Sequence, residues 1–347
     1  MSSITPLLEK LILRDSLSRN EAREVMESLM TGMASPAQAA GLLVALRMKG
    51  ETIDEVAGFA DGMRHHLLPV KVNLSPLVDT CGTGGSRERV FNVSTAAAFV
   101  AASAGIAVAK HGNRAMSGVC GSADVLEALG AKIDLTAEQI SKCIEKTGIG
   151  FLFAQAHHPA TKNIAPIRRE LGVRTIFNLL GPLSNPAGAT RQAMGVYAPE
   201  LVPLAAGALK SLGSEIALVF HGKEGLDEIS TTGPTLVAEL RDGTIIEYQL
   251  TPEHFGISPA TDPTWLLPRD TPLANAQILH EALDPTVIDA QTLARRDLVA
   301  VNAGAVLYVS DKVVDLVTGY TTAIELIMTR SALRKLDEFV IATQGIE

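Results

Sequence analysis

The sequence contains little cysteine, with only Cys81, Cys120 and Cys143 among its 347 residues. Their spacing matches no metal-ligand motif, and three thiols without a pairing pattern are typical of a reducing compartment. No histidine stands in an arrangement that would make one of them a nucleophile with a base. We therefore expect no disulfides and no cysteine chemistry, and we expect the protein to be cytoplasmic.

The sequence also lacks a long apolar run, although 47% of its residues are hydrophobic. No stretch approaches the roughly 20 residues that cross a bilayer. Charged residues such as Glu9, Lys10 and Arg14 stand close to the amino terminus, which is unlike a secretory signal. A membrane partner is therefore not expected, and the hydrophobic content is sufficient for a sizeable core.

The sequence has fewer basic residues than acidic ones, 30 against 38, so its formal net charge is −8. This balance argues against non-specific binding to nucleic acid. The chain also has no internal repeat and no low-complexity segment. Its length suits two domains, or one domain with a smaller lobe.

A glycine-rich turn stands out among the features that are present. Residues 78–86 read VDTCGTGGS, and an alanine-rich stretch typical of a helix begins at Ser94, with Asn92 or Ser94 as its cap. A strand, a glycine turn and a helix start together form a cradle for anions, because backbone N–H groups and the positive helix end face the ligand. The spacing matches neither the dinucleotide nor the P-loop motif. By itself it is equally consistent with an ordinary turn.

The same pattern occurs again within fifty residues. The apolar run 106–109 is followed by KHGNRAMSG at 110–118, and a helix is predicted to begin near Ser122, which we expect to cap it. This second turn contains two cations and a hydroxyl group. Two such turns at neighbouring strand ends would bind one ligand with several phosphates from both sides.

A pair of acids follows a predicted buried strand at 216–220. Asp227 and Glu228 have the chemistry that Mg²⁺ prefers, because this ion takes oxygen ligands from one or two carboxylates and from substrate phosphates. On sequence alone an exposed acidic pair at a helix start is the favoured alternative.

Secondary-structure signals divide the chain into regions. The first ~70 residues are predicted to be helical, with capping boxes that begin at Ser18, Ser35 and Thr52. Helices then alternate with short apolar runs from residue 77 to about 178, which indicates an α/β sheet with ligand loops at its strand ends. Residues 235–250 are predicted to form a hairpin around Arg241-Asp242-Gly243, and the last ~75 residues are predicted to be helical.

Six motifs in register resemble the anthranilate phosphoribosyltransferase family over residues 51 to 233. They read GTGG with FNVST, KHGNR, GSADVLEALG, HHPA, RRELGVRTIFNLLGPLSNPA and GLDEIS. The resemblance implies an α/β fold with a small all-helical lobe at 1–72 and a larger domain with a central mixed sheet at 73–347. Helices near 160–190 are expected to join the lobe.

The resemblance also implies a reaction. The family transfers the phosphoribosyl group of phosphoribosyl pyrophosphate (PRPP, the donor) to the amine of anthranilate (the acceptor) and releases pyrophosphate, with Mg²⁺ as cofactor, in tryptophan biosynthesis. No acid or base catalyst is assigned, and a homodimer formed through the N-terminal helices is implied. The alternatives are an enzyme like the pyrimidine nucleoside phosphorylases and a nucleic-acid-binding relative without enzymatic activity.

The family's functional residues map onto this sequence position by position. The donor-binding residues implied by the resemblance are Gly82, Gly85, Ser86, Asn92, Ser94, Thr95, Lys110, Ser117 and Ser122. The implied acceptor-binding residues are Gly82, His111, Asn113 and Arg168. The implied magnesium ligands are Ser94, Asp227 and Glu228.

The sequence departs from the family pattern in both glycine turns. The first turn continues as SRER at 86–89 where the family usually has Asp and a second Gly, and the second reads SGVC at 117–120 in place of Ser-Ser-Lys-Ser. Both changes remove polar groups that would face the donor. Arg87 and Arg89 are expected to compensate by meeting the pyrophosphate oxygens directly.

Overall fold

The computed structural model describes residues 4–86, 90–115, 119–260 and 262–346. Its N-terminal part consists of four helices, which are α1 Thr5–Ile12, α2 Arg19–Met30, α3 Pro36–Lys49 and α4 Ile53–His65. Ser18, Ser35 and Thr52 cap α2, α3 and α4 with reciprocal capping boxes. The helices predicted for the first ~70 residues are therefore confirmed, together with the three start signals.

A seven-stranded mixed sheet forms the centre of the molecule. Its strands are β1 Val78–Thr80, β2 Val108–Gly112, β3 Ile149–Phe153, β4 Arg191–Gly195, β5 Ile216–Gly222, β6 Thr235–Arg241 and β7 Thr244–Leu250. They lie in the order β3-β2-β1-β4-β5-β6-β7, and β1 to β5 are parallel while β6 and β7 are antiparallel. The strand order reverses between β1 and β4. In such sheets, ligands bind beyond the carboxyl ends of the strands at this switch point.

Eleven further α-helices surround the sheet in the described part of the chain. They are α5 Val93–Ser103, α6 Ser122–Ala128, α7 Ala137–Thr147, α8 Ala154–His157, α9 Ala165–Leu171, α10 Phe177–Leu180, α11 Leu201–Ser211, α12 Pro272–Leu283, α13 Ala290–Val309, α14 Leu316–Met328 and α15 Ser331–Gly345. None of the helices in the described ranges is both long and apolar enough to cross a membrane.

The two faces of the sheet belong to two different hydrophobic cores. On β5, Leu218 and Phe220 pack with α5 and α13, whereas Ala217 and Val219 pack with α11 and the N-terminal helices. Alternate residues of a strand point to opposite faces, so the continuous apolar run at 216–220 reflects burial on both sides. Side chains between residues 164 and 183 belong to the second core as well. The helical lobe is thus packed against this segment and against the sheet.

Several local predictions require correction. The hairpin turn is formed by Asp242 and Gly243 alone, both at positive φ, while Arg241 ends β6. Ser122 is not the cap of α6 but its first residue, and Gly121 is the cap. Asp227 and Glu228 lie in a loop rather than at a helix start, because the turn after β5 does not continue into a helix.

Candidate active site

A cavity of about 430 Å³ opens at the carboxyl ends of β1 and β2, next to the switch point of the sheet. Both glycine turns line it, as do the buried Lys110, the acidic pair and Arg168. Residues that are far apart in sequence therefore meet at the edge of the sheet where the fold favours ligand binding.

The first glycine turn, residues 82–86, is called the glycine loop below. Thr83 donates its backbone N–H to the Gly195 carbonyl at 2.9 Å, and its hydroxyl accepts the N–H of Tyr197 at 3.0 Å. Gly84 and Gly85 have φ angles of +63° and +73°, a backbone conformation that glycine adopts without strain. The loop is thus anchored to the end of β4, and its residues line the cavity.

The glycine loop also contacts one of the two acids. Gly84 donates its N–H to Asp227 Oδ2 at 3.0 Å, and the Ser86 hydroxyl donates to Asp227 Oδ1. Gly82 is required here, because a Cβ atom at this position would lie 2.9 Å from Asp227 Oδ2. Asp227 therefore accepts two hydrogen bonds from the glycine loop, one of them from Ser86, which is predicted to bind the donor. Arg87 and Arg89, the expected pyrophosphate contacts, lie outside the described residues.

Glu228 is the buried member of the acidic pair, with 9% of its surface exposed. Burial, and next the neighbouring Asp227 carboxylate, raise the pKa of Glu228 to about 8. The backbone N–H of Ser94 and the charge of Lys110 oppose this rise. Two carboxylates forced together in a site of low polarity are stabilised by a cation, and the oxygens of Ser94, Asp227 and Glu228 are the hard ligands that Mg²⁺ takes. The residues present thus fit the ion, whereas the alternative of an exposed acidic pair is wrong.

Lys110 places a positive charge between the two glycine turns. Its Nζ donates to the Thr80 carbonyl at 2.5 Å and to the Ser94 hydroxyl at 3.3 Å. Burial lowers the pKa of Lys110, while nearby acidic groups, among them Asp79 and Glu228, act in the opposite direction. Ser94 is the second residue of α5, so the cation lies beside a helix N-terminus. Such a site attracts an anionic ligand.

The second glycine turn is joined by a hydrogen bond to the start of α5. Asn92 precedes α5, and its amide donates to the Cys120 carbonyl at 3.1 Å rather than capping the helix. The Ser122 hydroxyl donates to the Asn113 carbonyl at 3.3 Å. Thr95 Oγ1 is buried without a hydrogen-bond partner among the described residues. Ser117 and Gly118 lie outside the described residues, so the predicted role of Ser117 stays a prediction.

Arg168 and two histidines also line the cavity. Burial lowers the pKa of Arg168, and its guanidinium carbon lies 5.1 Å from the centre of the Phe177 ring. Burial lowers the pKa of His111 to about 3 and that of His158 to about 4, so both imidazoles are neutral near pH 7. The two rings are 5.2 Å apart. His111 Nδ1 donates to the Gly181 carbonyl at 3.1 Å, and its buried Nε2 has no partner in the described structure.

Sequence reasoning missed Asp79, a fully buried acid at the end of β1. It accepts the His111 N–H at 3.1 Å, the Asn185 amide at 2.8 Å and the Cys81 thiol at 3.2 Å. Asp79 thereby fixes the ends of β1 and β2 relative to the loop 181–187. An acid inside an apolar strand is the only sequence signal that could have indicated it.

The buried thiol of Cys81 is not a nucleophile. Its pKa is raised well above the usual value by burial and by the charge of Asp79, so the thiolate is disfavoured. Burial also raises the pKa of Cys120 to about 12. Burial therefore disfavours the reactive thiolate form of both cysteines that line the cavity.

Comparison with known protein families first identifies the class of protein. The helical bundle domain of the glycosyl transferase family matches residues 5–67, and the a/b domain of the same family matches residues 74–333. The chain is therefore a member of the glycosyl transferase family in which a helical bundle precedes an α/β domain.

Individual relatives then define the branch of the family. Anthranilate phosphoribosyltransferase from Rubrobacter xylanophilus is 50% identical over 333 residues, which cover 96% of this chain and 95% of that protein. The crystal structure of the Thermus thermophilus enzyme is 43% identical, with a TM-score of 0.90 over 97% of this chain and 99% of that one. The Saccharomyces cerevisiae enzyme in complex with PRPP and Mg is 28% identical, with a TM-score of 0.87 over 99% of both chains. The chain belongs to the anthranilate phosphoribosyltransferase family.

Proposed function

We propose that this protein transfers the phosphoribosyl group of PRPP to the amine of anthranilate in tryptophan biosynthesis. The observation that carries the proposal is that two glycine turns, Lys110, the acidic pair and Arg168 all line one cavity. The turns, Lys110 and the acidic pair suit a ligand with several phosphates, and Arg168 suits a planar carboxylate.

The donor is proposed to lie between the glycine loop and the N-terminus of α5. Lys110 and the backbone N–H groups there offer positive charge to the pyrophosphate, and Ser94, Asp227 and Glu228 would hold Mg²⁺. When bound, this ion neutralises charge on the phosphate oxygens. The remaining donor contacts are proposed for Gly82, Gly85, Ser86, Asn92, Thr95, Ser117 and Ser122.

The acceptor is proposed to lie beside Arg168. No side-chain hydrogen bond or ion pair occupies its guanidinium within the described residues, so two N–H groups are free to bind a carboxylate. Asn113 and Gly82 are proposed to contact the acceptor near its amine, and neutral His111 offers a surface for the ring. His111 is a poor base with a pKa of about 3. This supports the assignment of no general base, since an aryl amine is already a usable nucleophile.

Catalysis by this site is proposed to rest on positioning and electrostatics. As pyrophosphate departs, positive charge develops at the anomeric carbon while the leaving group becomes more anionic. Lys110 and the glycine-loop N–H groups other than those of Thr83 and Gly84, which already bind Gly195 and Asp227, would stabilise the leaving group. Arg168 would hold the acceptor amine within reach of the anomeric carbon.

The remaining proposals concern the whole molecule. We propose a homodimer formed through the helical lobe, on which Ile12, Leu13, Met33 and Met48 are more than half exposed. We also propose a cytoplasmic location, a division at residues 1–72 and 73–347, and no nucleic-acid or membrane partner. The net charge of −8 supports the absence of a nucleic-acid partner.

The test is incubation of the purified protein with PRPP, Mg²⁺ and anthranilate while anthranilate fluorescence is followed. The proposal requires the fluorescence to fall and pyrophosphate to appear in equal amount. A parallel reaction with phosphate and a pyrimidine nucleoside tests the phosphorylase alternative, and a salt-sensitive gel shift with single-stranded DNA tests the nucleic-acid alternative. Turnover only with the nucleoside, or a gel shift without any turnover, would overturn the proposal.

A further inference from the structure

Arg174 contacts the glycine loop from the side that faces away from the catalytic cavity. Its guanidinium Nη2 donates a hydrogen bond to the Gly85 carbonyl, and its Nε would lie 3.7 Å from a Cβ atom at Gly85. Arg174 lines a separate depression together with Tyr197 and Lys223. An exposed arginine with a backbone carbonyl as its partner is not explained by the packing of a core.

The guanidinium is held over an aromatic ring at the same time. The carbon of the Arg174 guanidinium lies 4.5 Å from the centre of the Tyr197 ring. Tyr197 is itself bound to the loop, because its backbone N–H donates to the Thr83 hydroxyl at 3.0 Å. Arg174, Tyr197 and the glycine loop therefore form a closed set of contacts. Only arginine combines a planar cation that stacks on a ring with N–H donors that point sideways to a carbonyl.

Arg174 belongs to the segment that carries the proposed acceptor residue. Helix α9 contains Arg168 and ends at Leu171, and the capping Gly172 donates its N–H to the Arg168 carbonyl at 3.2 Å. Just beyond Arg174, Thr175 donates its N–H to Asn178 Oδ1 at 3.1 Å, which begins the short helix α10. The segment is fixed on both sides of Arg174, so this side chain can hold the glycine loop in place.

We propose that Arg174 is a positioning residue. It belongs to the segment that carries Arg168, and from there it holds the glycine loop in its donor-binding conformation. The loop needs such a contact because two consecutive glycines at positive φ give it considerable freedom. Asp227 fixes the inner side of the loop through Gly84 and Ser86, and Arg174 fixes the outer side through Gly85. The contact links the donor-binding part of the site to the acceptor-binding part, and Arg174 itself touches neither substrate.

The first test is amide hydrogen exchange of the substrate-free protein with Arg174→Ala. The Thr83 and Gly84 amides are both hydrogen-bonded, so their exchange reports whether the loop stays docked. We expect exchange there to accelerate by about 3- to 10-fold, the change produced by losing one exposed hydrogen bond. Arg169→Ala is the matched control, because Arg169 is exposed on the same segment. Unchanged exchange at both amides, or equal acceleration in the control, would overturn the proposal.

The second test is steady-state kinetics, and this part rests on the proposed function. Arg174→Ala should raise the donor KM by about 3- to 10-fold while kcat and the anthranilate KM stay within a factor of about two. A merely structural role would instead lower kcat through loss of folded protein. Arg174→Lys should recover only part of the donor affinity. If the wild-type protein does not turn over these substrates, the proposed function fails, but the exchange experiment still decides the role of Arg174.

A double variant tests the part played by Tyr197. Tyr197→Leu removes the ring but keeps the backbone N–H that binds Thr83. If the ring acts by orienting the guanidinium, adding Tyr197→Leu to Arg174→Ala should change loop exchange little beyond the single Arg174 variant. If the acceleration of loop exchange in the double variant were the product of the effects of the two substitutions, the two side chains would act independently. That result would contradict this arrangement.

Discussion

The surroundings of Arg168 leave its guanidinium group available to bind a ligand. Its guanidinium is partly buried, so the pKa is lowered, yet among the described residues a ring face rather than an acid lies beside it. A surface arginine paired with a neighbouring carboxylate would have fewer free donors for a substrate. The structure therefore favours a binding role over the alternative of an ordinary surface ion pair.

We predict that Arg168→Ala raises the anthranilate KM by about 10- to 150-fold, because a hydrogen bond to a charged group contributes about 1.5–3 kcal/mol. The donor KM should barely change, since Arg168 is proposed to contact only the acceptor. Steady-state kinetics with each substrate varied in turn measures both constants, and Arg169→Ala serves as control. An equal rise in both KM values would mean that Arg168 is structural.

Glu228 makes stability depend on pH in the absence of metal. Its pKa is about 8 in the folded protein against 4.5 for the unperturbed group. Between these values the unfolded chain releases a proton that the folded protein keeps, so Glu228 lowers the free energy of unfolding progressively as pH rises. Below about pH 4.5 the effect vanishes, because both states are then protonated.

Glu228→Gln should therefore stabilise the metal-free protein, and more so at about pH 8 than at about pH 5.5. We expect the Tm gain at the higher pH to reach at least about 2 °C, the order of 1 kcal/mol for a chain of this size. Adding Mg²⁺ should raise the Tm of the wild type more than that of the variant. Thermal unfolding at the two pH values, with and without Mg²⁺, measures this. A Tm gain that is independent of pH would contradict the buried, protonated state of Glu228.

At the scale of elements, the end of β4 determines where the acidic loop lies. A Cβ atom at Gly195 would approach the Asp227 carbonyl to 1.7 Å, so only glycine lets the loop pass so close to the strand. The Gly195 carbonyl also accepts the N–H of Thr83. One glycine thus aligns the acidic loop with the glycine loop.

We predict that Gly195→Ala displaces Asp227 and weakens Mg²⁺ binding more than it lowers overall stability. The Tm increase caused by Mg²⁺ should shrink by at least half, whereas the Tm of the metal-free variant should fall by only a few degrees. Gly345→Ala is the control, because a Cβ atom there meets nothing within 4 Å. An undiminished effect of Mg²⁺ in a folded Gly195→Ala variant would show that the close approach is not needed for the metal site.

Elements with strong local signals were predictable from the sequence. The capping boxes, the two glycine turns, the hairpin and the buried strand at 216–220 all depend on residues close together in the chain. The general place of the site followed from glycine turns at strand ends. The individual contacts within the site could not be predicted from the sequence. The pairs Asp79–Asn185, Gly84–Asp227 and Arg174–Gly85 are separated by 89 to 143 residues. Neither propensity nor spacing indicates such contacts, and the order of the strands was equally hidden.

At the scale of the whole molecule, the helical lobe leaves apolar side chains uncovered. Leu13 is 70% exposed and Met48 is 72% exposed, both at the ends of lobe helices. We predict that the wild-type protein sediments at about twice its 36.6 kDa mass, because a dimer would cover such side chains. Sedimentation of Leu13→Glu with Met48→Glu should shift toward the monomer. Val314→Glu, at an exposed site in the α/β domain, should remain a dimer, and a monomeric wild type would contradict the proposed assembly.

The acidic pair matters at all three scales. Asp227 accepts hydrogen bonds from the glycine loop, its backbone lies close to Gly195 of β4, and both acids line the cavity. Asp227→Ala with Glu228→Ala removes both carboxylates, and with them the proposed metal clamp. Such a clamp would contribute several kcal/mol by neutralising charge on the departing pyrophosphate, so turnover should fall by about 100-fold or more. The fold should persist, because neither side chain belongs to a hydrophobic core.

The most direct test is therefore the rate of anthranilate consumption as Mg²⁺ is titrated, for the wild type and for this double variant, with PRPP saturating. Circular dichroism of both proteins controls for folding. We predict that the wild-type rate rises with Mg²⁺ to a plateau and that the folded double variant stays near background throughout. Full turnover of the double variant at ordinary Mg²⁺ concentrations would contradict the assignment of this cavity as a magnesium-dependent phosphoribosyl transfer site.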